Sequence, residues 1–277
     1  MHHPPNDLPA RAAWLRRELF TMVIAQQQGH LPSSFSMAEI LVTLYYGGIA
    51  RQFPGEPHHP DRDRVIISKG HAAQALYPIL ADFGYFSPEE LKRYGKVGGL
   101  LGIYADIRVP GIEGISGSLG HGLGMASGFA LAARHDGRGN RSFVILGDGE
   151  CYEGSIWESA AFAAHHRLDS VVTIVDRNKL CMLGATETLM AHGDLRAKWE
   201  SFGWHAVDCD GHDFASLAAA FALIGRTGGR PLAIIADTVK GKGISFMEGH
   251  HEWHNHMPNA EQIAIARAEL GLPVAED

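Results

Sequence analysis

Short runs of apolar, often β-branched residues alternate with helical patterns along most of the chain, and this alternation constrains the fold more than any other feature. The predicted strands cover 64–68, 142–146, 170–176, 204–208 and 231–237. The predicted helices between them cover 72–83, 120–134, 154–166, 194–202 and 213–227. Continuous apolar strands separated by helices predict a parallel sheet that is covered on both faces. We therefore predict an α/β fold, a three-layer doubly wound parallel sheet.

Helical patterns also occupy both ends of the chain. An N-terminal helix is predicted over 8–28 and a second over 36–46, where Ser36 would be the N-cap and Glu39 would complete a capping box. A terminal helix is predicted over 260–270. No internal repeat or Gly/Ser/Pro-rich linker divides the sequence. We therefore predict a single domain over 1–277, with an N-terminal helical arm over about 1–50 and a C-terminal helix over about 259–271.

Charge and cysteine content exclude several classes of protein. The formal net charge is −7 and no Lys/Arg cluster reverses it locally, which argues against nucleic acid binding. No apolar run reaches membrane-spanning length, and the first residues lack the apolar core of a signal peptide. The three cysteines lie far apart in the sequence, and this spacing fits neither a disulfide framework nor a zinc site. We expect a cytoplasmic protein with no membrane partner.

Two neighbouring strand ends carry the residues that point to chemistry. The strand over 142–146 leads into Gly147-Asp148-Gly149, and the strand over 170–176 is followed by Asn178, thirty residues after Asp148. One strand–helix–strand unit of this length brings both side chains to the same sheet edge. Mg²⁺ prefers such oxygen ligands together with phosphate oxygens, and glycine allows backbone N–H groups to approach a phosphate. The tripeptide alone is also typical of an ordinary tight turn, so the combination carries the prediction.

Gly-Asp-Gly followed by Asn178 resembles the signature of the thiamine diphosphate enzymes, and four more segments resemble the transketolase family. These segments are QQGHLPSSFSMAEILVTLYY, ISKGHAAQALYPIL, PGIEGISGSLGHGLGMASGFALA and DTVKGKGISFMEGHHEWH. The resemblance extends over most of the chain. It implies a thiamine diphosphate-binding domain of the diphosphate-binding type. It also implies a divalent cation, Mg²⁺ or alternatively Ca²⁺ or Mn²⁺.

The resemblance assigns roles to individual residues. Asp148, Asn178 and the Leu180 carbonyl would bind the metal. The residues that would contact the cofactor are His71, Gly117, Leu119, Asp148, Gly149, Glu150, Asn178 and His251. The residues expected to take part in catalysis are His30, His71, His251, His254 and Glu153.

Several of these residues have an ordinary structural alternative. His71 could cap its helix, and His30 could interact with a helix dipole. Glu153 and Glu158 would belong to a carboxylate network between paired active sites, although acids in the first turns of a helix also explain them. Cys151 is expected to be a small packing residue, and the spacing of His251 and its neighbours fits no zinc motif.

The chain departs from the transketolase pattern in two ways. Tyr104 stands where the family has a histidine near the reacting carbons of the donor sugar, and tyrosine does not titrate near neutral pH. Transketolases are also about twice as long, and the other half carries the domain that binds the aminopyrimidine ring. We therefore expect a split enzyme in which a separate C-terminal, pyrimidine-binding subunit completes an α2β2 heterotetramer.

Three functions are compatible with the sequence. The first is ketol transfer from a ketose phosphate donor to an aldose phosphate acceptor, which the ISKGHA and GSLGHGLG segments favour. The second is the α subunit of a 2-oxo acid dehydrogenase or of a synthase that transfers a two-carbon acyl unit, for which Tyr104 leaves room. The third is a non-catalytic binding module, against which Asp148, Gly149 and Asn178 argue.

Overall fold

The computed structural model describes residues 7–273, so the first six residues of the predicted N-terminal arm and the last four residues of the chain lie outside it. Five parallel strands form one sheet in the order β1-β2-β3-β5-β4. They are β1 (Arg64–Ile67), β2 (Ser142–Gly147), β3 (Val171–Arg177), β4 (His205–Asp210) and β5 (Leu232–Asp237). The predicted α/β fold is confirmed, and each strand lies within two residues of its predicted position.

Helices cover both faces of the sheet. The α-helices are α1 (Leu8–Gln26), α2 (Leu31–Phe35), α3 (Ala38–Tyr46), α4 (Leu76–Asp82), α5 (Gly122–His135), α6 (Gly154–His165), α7 (Thr186–Leu189), α8 (Leu195–Ser201), α9 (Phe214–Phe221) and α10 (Ala260–Glu269). Shorter 3-10 helices occupy Gly70–Ala75, Pro88–Arg93, Gly149–Tyr152 and His251–His254. The sequence pattern did not predict α2 or α7, because elements of five and four residues are too short to show a helical period.

Alternate residues of the central strands belong to two separate apolar clusters. Ile145 and Ile174 pack on one face with the N-terminal helices, and Val144 and Val175 pack on the other with α5, α6 and α8. All six residues of β2 are buried. Burial on both faces explains why these strands read as continuous apolar runs and not as alternating ones.

The predicted capping box at the start of α3 is wrong. The N-cap of α3 is Met37, and no side chain caps the helix. The Ser36 hydroxyl instead donates to the Asp176 carboxylate at 2.5 Å, and Glu39 accepts a hydrogen bond from Arg16 at 2.6 Å. Both side chains are buried and bind groups from other elements, so tertiary contacts displace the local motif. A capping box does form at α10, between Asn259 and Gln262.

The sheet topology places the polar strand ends together. Gly147 of β2 pairs with Asp176 of β3, so the residues that follow them emerge at one edge of the sheet. In open parallel sheets, ligands bind outside the carboxyl ends of the strands. None of the helices within residues 7–273 combines the length and the apolar character needed to cross a membrane.

Candidate active site

A cavity of about 340 Å³ opens at the carboxyl ends of β1, β2 and β3. Most of its lining comes from the loops that follow these strands, with further residues from α2 and from the segment after β5. The lining residues are Ser33, Lys69, His71, Leu119, Gly147, Asp148, Gly149, Glu150, Asn178, Leu180, Cys181, Met182, Leu183, Lys240 and His254. The two strand ends singled out in the sequence therefore do meet in one concave site.

Asp148 lies at the floor of the cavity and is almost fully buried. Its carboxylate accepts hydrogen bonds from the backbone N–H groups of Gly149 at 3.0 Å and Lys179 at 2.8 Å. Burial, and then the negative charge of Asp176, raise the pKa of the Asp148 carboxyl to about 6. A cation at this position would stabilise the charged carboxylate.

Asn178 and Leu180 present oxygen atoms beside Asp148. The Asn178 side chain donates to the Asp176 carboxylate at 3.3 Å, which turns its amide oxygen toward the Leu180 N–H at 3.2 Å. The Leu180 carbonyl faces the Lys240 ammonium at the long distance of 3.4 Å. Cys181 packs closely against Gly149, because a Cβ added to this glycine would lie 3.0 Å from Cys181 Cβ.

Two buried lysines flank these oxygen atoms. Lys69 forms an ion pair with Asp176, and its ammonium also donates to the Ser33 carbonyl at 2.8 Å. Burial opposes ionisation of Asp176, but the charge and hydrogen bond of Lys69, together with hydrogen bonds from Ser36 and Thr238, outweigh it and lower the pKa of that carboxyl. Lys240 donates to the His254 ring at 3.0 Å, and burial together with the Lys69 charge lowers the pKa of Lys240 to about 8. The cavity thus places positive charge next to the oxygen atoms that are predicted to bind a cation.

Glu150 fixes the loop that carries Leu119. Its buried carboxylate accepts hydrogen bonds from the Ser68 hydroxyl at 2.5 Å and from the Gly120 N–H at 2.9 Å. Burial raises the pKa of Glu150. Leu119 lines the cavity, whereas Gly117 is exposed on the same loop and does not. The observed role of Glu150 is to hold this loop against β1 and β2.

Three histidines from distant segments cluster at the cavity. The ring centroids of His30, His71 and His254 lie 5.2, 4.9 and 5.3 Å apart in pairs. Burial is the largest cause that lowers each pKa, and nearby lysines lower it further, to about 3 for His254. Neutral imidazoles can both donate and accept hydrogen bonds. His30 Nδ1 is buried without a hydrogen-bond partner among the described residues, so it is available to a bound hydroxyl.

The remaining predicted site residues lie elsewhere. His251 does not line the cavity; its side chain is 38% exposed and contacts Glu252, so of the two histidines suggested for this loop, His254 occupies the site. Glu153, at the N-cap of α6, and Glu158, within α6, are both exposed and lie outside the cavity. Tyr104 is 47% exposed, and its ring lies 6.0 Å from that of His30. Cys151 is buried in the apolar core, as expected.

The sequence did not identify Lys69, Asp176, Lys240 or Ser33 as members of the site. Asp176 is the next-to-last residue of β3, two residues before Asn178, and a buried acid near a strand end is a recognisable signal of a site. Lys69 is the second residue after β1, and Lys240 lies in the loop after β5. Their positions next to strand ends indicate the correct edge of the sheet, but only the fold shows that the ammonium groups turn inward.

The donor set fits a hard divalent cation. Within residues 7–273 no group of three or more His, Cys, Asp or Glu side chains is arranged to hold a metal ion. The predicted set has one carboxylate, one amide oxygen and one carbonyl, so it is not a group of that kind. Mg²⁺ is often held by one or two carboxylates and completes its shell with phosphate oxygens and water. Lys240 provides positive charge for such phosphates, whereas the charge of Lys69 is paired with that of Asp176.

Comparison with known proteins identifies the family. Residues 11–277 match the family model described as "Transketolase, thiamine diphosphate binding domain". A protein of Phocaeicola vulgatus named as a subunit of apulose-4-phosphate transketolase is 38% identical over 255 residues, which cover 92% of this chain and 90% of that protein. A 6-deoxy-6-sulfo-D-fructose transketolase subunit of Clostridium sp. is 38% identical over 265 residues, with 95% and 96% covered.

Solved structures agree with this result. The transketolase from Campylobacter jejuni superposes with a TM-score of 0.90 at 29% identity, covering 96% of this chain. The match covers 43% of that transketolase, so the chain spans less than half of its length. The family model, the subunit relatives and the superposition all point to the same family. The chain therefore belongs to the transketolase family and comprises its thiamine diphosphate-binding domain.

Proposed function

We propose that this chain is the diphosphate-binding subunit of a split transketolase, with a single domain over residues 1–277. It would transfer a two-carbon ketol unit from a ketose phosphate donor to an aldose phosphate acceptor. The observation that carries the proposal is the convergence of Asp148, Asn178 and the Leu180 carbonyl with two buried lysines in one cavity. Metal-bound diphosphate needs oxygen ligands for the cation and positive charge for the phosphates, and both are present.

Different residues of this chain would bind the metal and the diphosphate. Asp148, Asn178 and the Leu180 carbonyl would hold Mg²⁺, and Lys240 together with His71 would face the diphosphate. When bound, thiamine diphosphate supplies the nucleophilic carbon and the electron sink needed to break a carbon–carbon bond next to a carbonyl. The protein positions the cofactor, supplies charge and excludes water from the buried base of the cavity.

The histidine cluster would face the substrate. Because burial lowers the pKa of His30, His71 and His254, their rings are neutral near pH 7. A neutral imidazole can orient a sugar hydroxyl through one nitrogen and move a proton through the other. His30 Nδ1, which has no partner within residues 7–273, supports contact with a donor hydroxyl.

A second subunit would complete the active site. The relatives from Phocaeicola vulgatus and Clostridium sp. are named as transketolase subunits, and this chain covers at least nine-tenths of each. We propose a C-terminal, pyrimidine-binding partner and an α2β2 heterotetramer, in which the exposed Glu153 and Glu158 would lie at a contact between subunits. We also propose a cytoplasmic location, because all three cysteines are free thiols, as is typical of a reducing compartment.

The donor sugar would differ from that of transketolases with a histidine at position 104. Tyr104 lies near His30 at the substrate side, where its phenol is bulkier than an imidazole. The two subunit relatives are named for apulose-4-phosphate and for 6-deoxy-6-sulfo-D-fructose, neither of which is the usual pentulose phosphate. We therefore propose a sugar phosphate, or a comparably anionic ketose, as the donor.

Calorimetric titration tests the core of this proposal. Thiamine diphosphate should bind to the chain, supplemented with its partner subunit, in the presence of Mg²⁺ and not in the presence of EDTA. Asp148→Ala should abolish metal-dependent binding. Equal binding with and without a divalent cation would contradict the assignment of Asp148, Asn178 and Leu180.

A further inference from the structure

His212 lies outside the cavity but connects two parts of the structure that meet there. It follows β4, and its side chain is 15% exposed. Its Nε2 accepts the backbone N–H of Val239 at 2.8 Å, and its Nδ1 lies 2.9 Å from Glu39 Oε2. Neither the family resemblance nor the cavity lining includes this residue.

The two contacts determine the tautomer of the ring. A backbone N–H can only donate, so Nε2 must carry a lone pair and the proton must lie on Nδ1. Nδ1–H therefore donates to the Glu39 carboxylate. One imidazole thus accepts from a loop and donates to a helix, and this orientation is fixed by hydrogen bonds at both nitrogens.

Glu39 is a rigid anchor for this ring. Arg16 donates to both of its oxygens, at 2.6 and 2.7 Å, and also donates to the Phe35 carbonyl at 3.0 Å. The side chains of Arg16 and Glu39 are 9% and 10% exposed. A paired, largely buried carboxylate with several donors has little freedom to move. His212 is therefore held from the side of α1 and α3.

Val239 is the residue directly before Lys240, whose ammonium enters the cavity. On the other side of the lysine, Gly241 N–H donates to the Pro32 carbonyl at 3.0 Å, and Gly249 N–H donates to the Lys240 carbonyl at 2.9 Å. The bond from Val239 to His212 restrains the backbone on the N-terminal side of the lysine. Its loss would allow the backbone of Lys240 to shift relative to Leu180 and His254.

We propose that His212 is a positioning residue that fixes the Lys240 loop against the Arg16–Glu39 pair and so places the Lys240 ammonium for the cofactor phosphates. The importance of this placement rests on the proposed function, whereas the restraint on the loop does not. His212 touches neither substrate nor cofactor, so its effect is exerted through the backbone of Val239.

Two substitutions separate the two hydrogen bonds. In His212→Asn the amide nitrogen replaces Nδ1, so the bond to Glu39 is retained and the acceptor for Val239 is lost. In His212→Gln the amide oxygen reaches the position of Nε2, so the acceptor for Val239 is retained and the bond to Glu39 is weakened. His135→Asn, at a side chain that is 91% exposed, is the matched control.

Hydrogen exchange followed by mass spectrometry on residues 239–247 gives the direct readout. Losing one hydrogen bond of ordinary strength should accelerate exchange of this segment about tenfold in His212→Asn, while His212→Gln and His135→Asn should stay close to wild type. Equal acceleration in the Asn and Gln variants would overturn the proposal, because exchange would then not depend on the acceptor for the Val239 N–H. No acceleration in His212→Asn would overturn it as well.

Binding of thiamine diphosphate with Mg²⁺, measured on the same variants with the partner subunit present, gives the second readout. We expect the dissociation constant to rise about tenfold in His212→Asn and to stay within about twofold of wild type in His212→Gln. Unchanged affinity in His212→Asn would refute the link to Lys240. A wild-type protein that binds no cofactor would instead contradict the proposed function, while the exchange measurement would still decide the role of His212 in the loop.

Discussion

The Lys69 ammonium and the Asp176 carboxylate form an ion pair behind the cofactor cavity, with side-chain exposures of 3% and 0%. Asp176 also accepts hydrogen bonds from the Ser36 and Thr238 hydroxyls and from the Asn178 amide. The pair therefore joins α2, β1, β3 and the segment after β5 directly beneath the predicted metal ligands. Its integrity should affect both folding and the orientation of Asn178.

Removing the cation of this pair should destabilise the fold strongly. Lys69→Met leaves the Asp176 carboxylate buried without its counter-ion, which should lower the free energy of unfolding by about 3 kcal/mol or more. Urea unfolding followed by circular dichroism measures this change. Lys92→Met is the control, because Lys92 pairs with Glu89 at the surface, with exposures of 74% and 72%, and should cost less than about 1 kcal/mol. Similar losses in the two variants would contradict the buried pair.

The sequence predicted the strands that surround the site better than the side-chain contacts within it. Five parallel strands and the meeting of Asp148 with Asn178 follow from apolar periodicity and strand–helix–strand spacing, which are local patterns. The roles of Lys69 and Asp176 depend on a contact across 107 residues, which no local pattern encodes. The capping box was mispredicted for the same reason, since Ser36 and Glu39 bind partners from distant segments.

Asp148 should matter for metal binding more than for folding. Asp148→Asn keeps an acceptor for only one of the Gly149 and Lys179 N–H groups, because they bind different carboxylate oxygens, and it removes a buried negative charge beside Asp176. We expect the metal-dependent affinity for thiamine diphosphate to fall at least about a hundredfold, whereas stability in metal-free buffer should fall by only about 1–2 kcal/mol, the cost of one hydrogen bond. Calorimetry and thermal unfolding measure the two effects. Asp169→Asn, at an exposed turn, is the control. A large loss of stability that occurs in Asp148→Asn and not in Asp169→Asn would argue for a purely structural role of Asp148.

Glu39 should make stability depend on acid pH. Burial opposes ionisation, but the hydrogen bonds from His212 and Arg16 outweigh it and lower the pKa of Glu39 to about 2. Because the folded-state pKa lies below the unfolded value near 4.5, the stabilisation is complete above that value and is lost as the pH falls toward 2. Its size at neutral pH is on the order of 3 kcal/mol.

Urea unfolding of wild type and Glu39→Gln between pH 2 and 7 tests this dependence. The difference in unfolding free energy should be largest above pH 5 and should shrink between about pH 4.5 and 2. Glu89→Gln, at an exposed helix position, should show no comparable trend. A difference between wild type and Glu39→Gln that stays constant over the whole range would rule out the ionised Glu39 as its source.

His254 and His251 should differ sharply in function. His254 lines the cavity and accepts a hydrogen bond from Lys240, whereas His251 lies outside it, next to Glu252. His254→Asn should reduce kcat/KM by about a hundredfold or more, the usual effect of losing a positioned proton donor or acceptor, while His251→Asn should stay within about threefold of wild type. Steady-state kinetics with the partner subunit measures both values of kcat/KM. A larger loss in His251→Asn than in His254→Asn would indicate that His251, and not His254, belongs to the active site.

The most direct test of the account is a ketol-transfer assay on the chain alone and on the chain mixed with its C-terminal partner, with thiamine diphosphate and Mg²⁺. The donors should include xylulose 5-phosphate, apulose-4-phosphate and 6-deoxy-6-sulfo-D-fructose, with an aldose phosphate as acceptor. We predict activity only in the mixture, with at least one of these donors, and its loss in Asp148→Ala. Activity of the chain alone would contradict the split active site, and a mixture that binds the cofactor but transfers no ketol unit from any donor would contradict the proposed reaction.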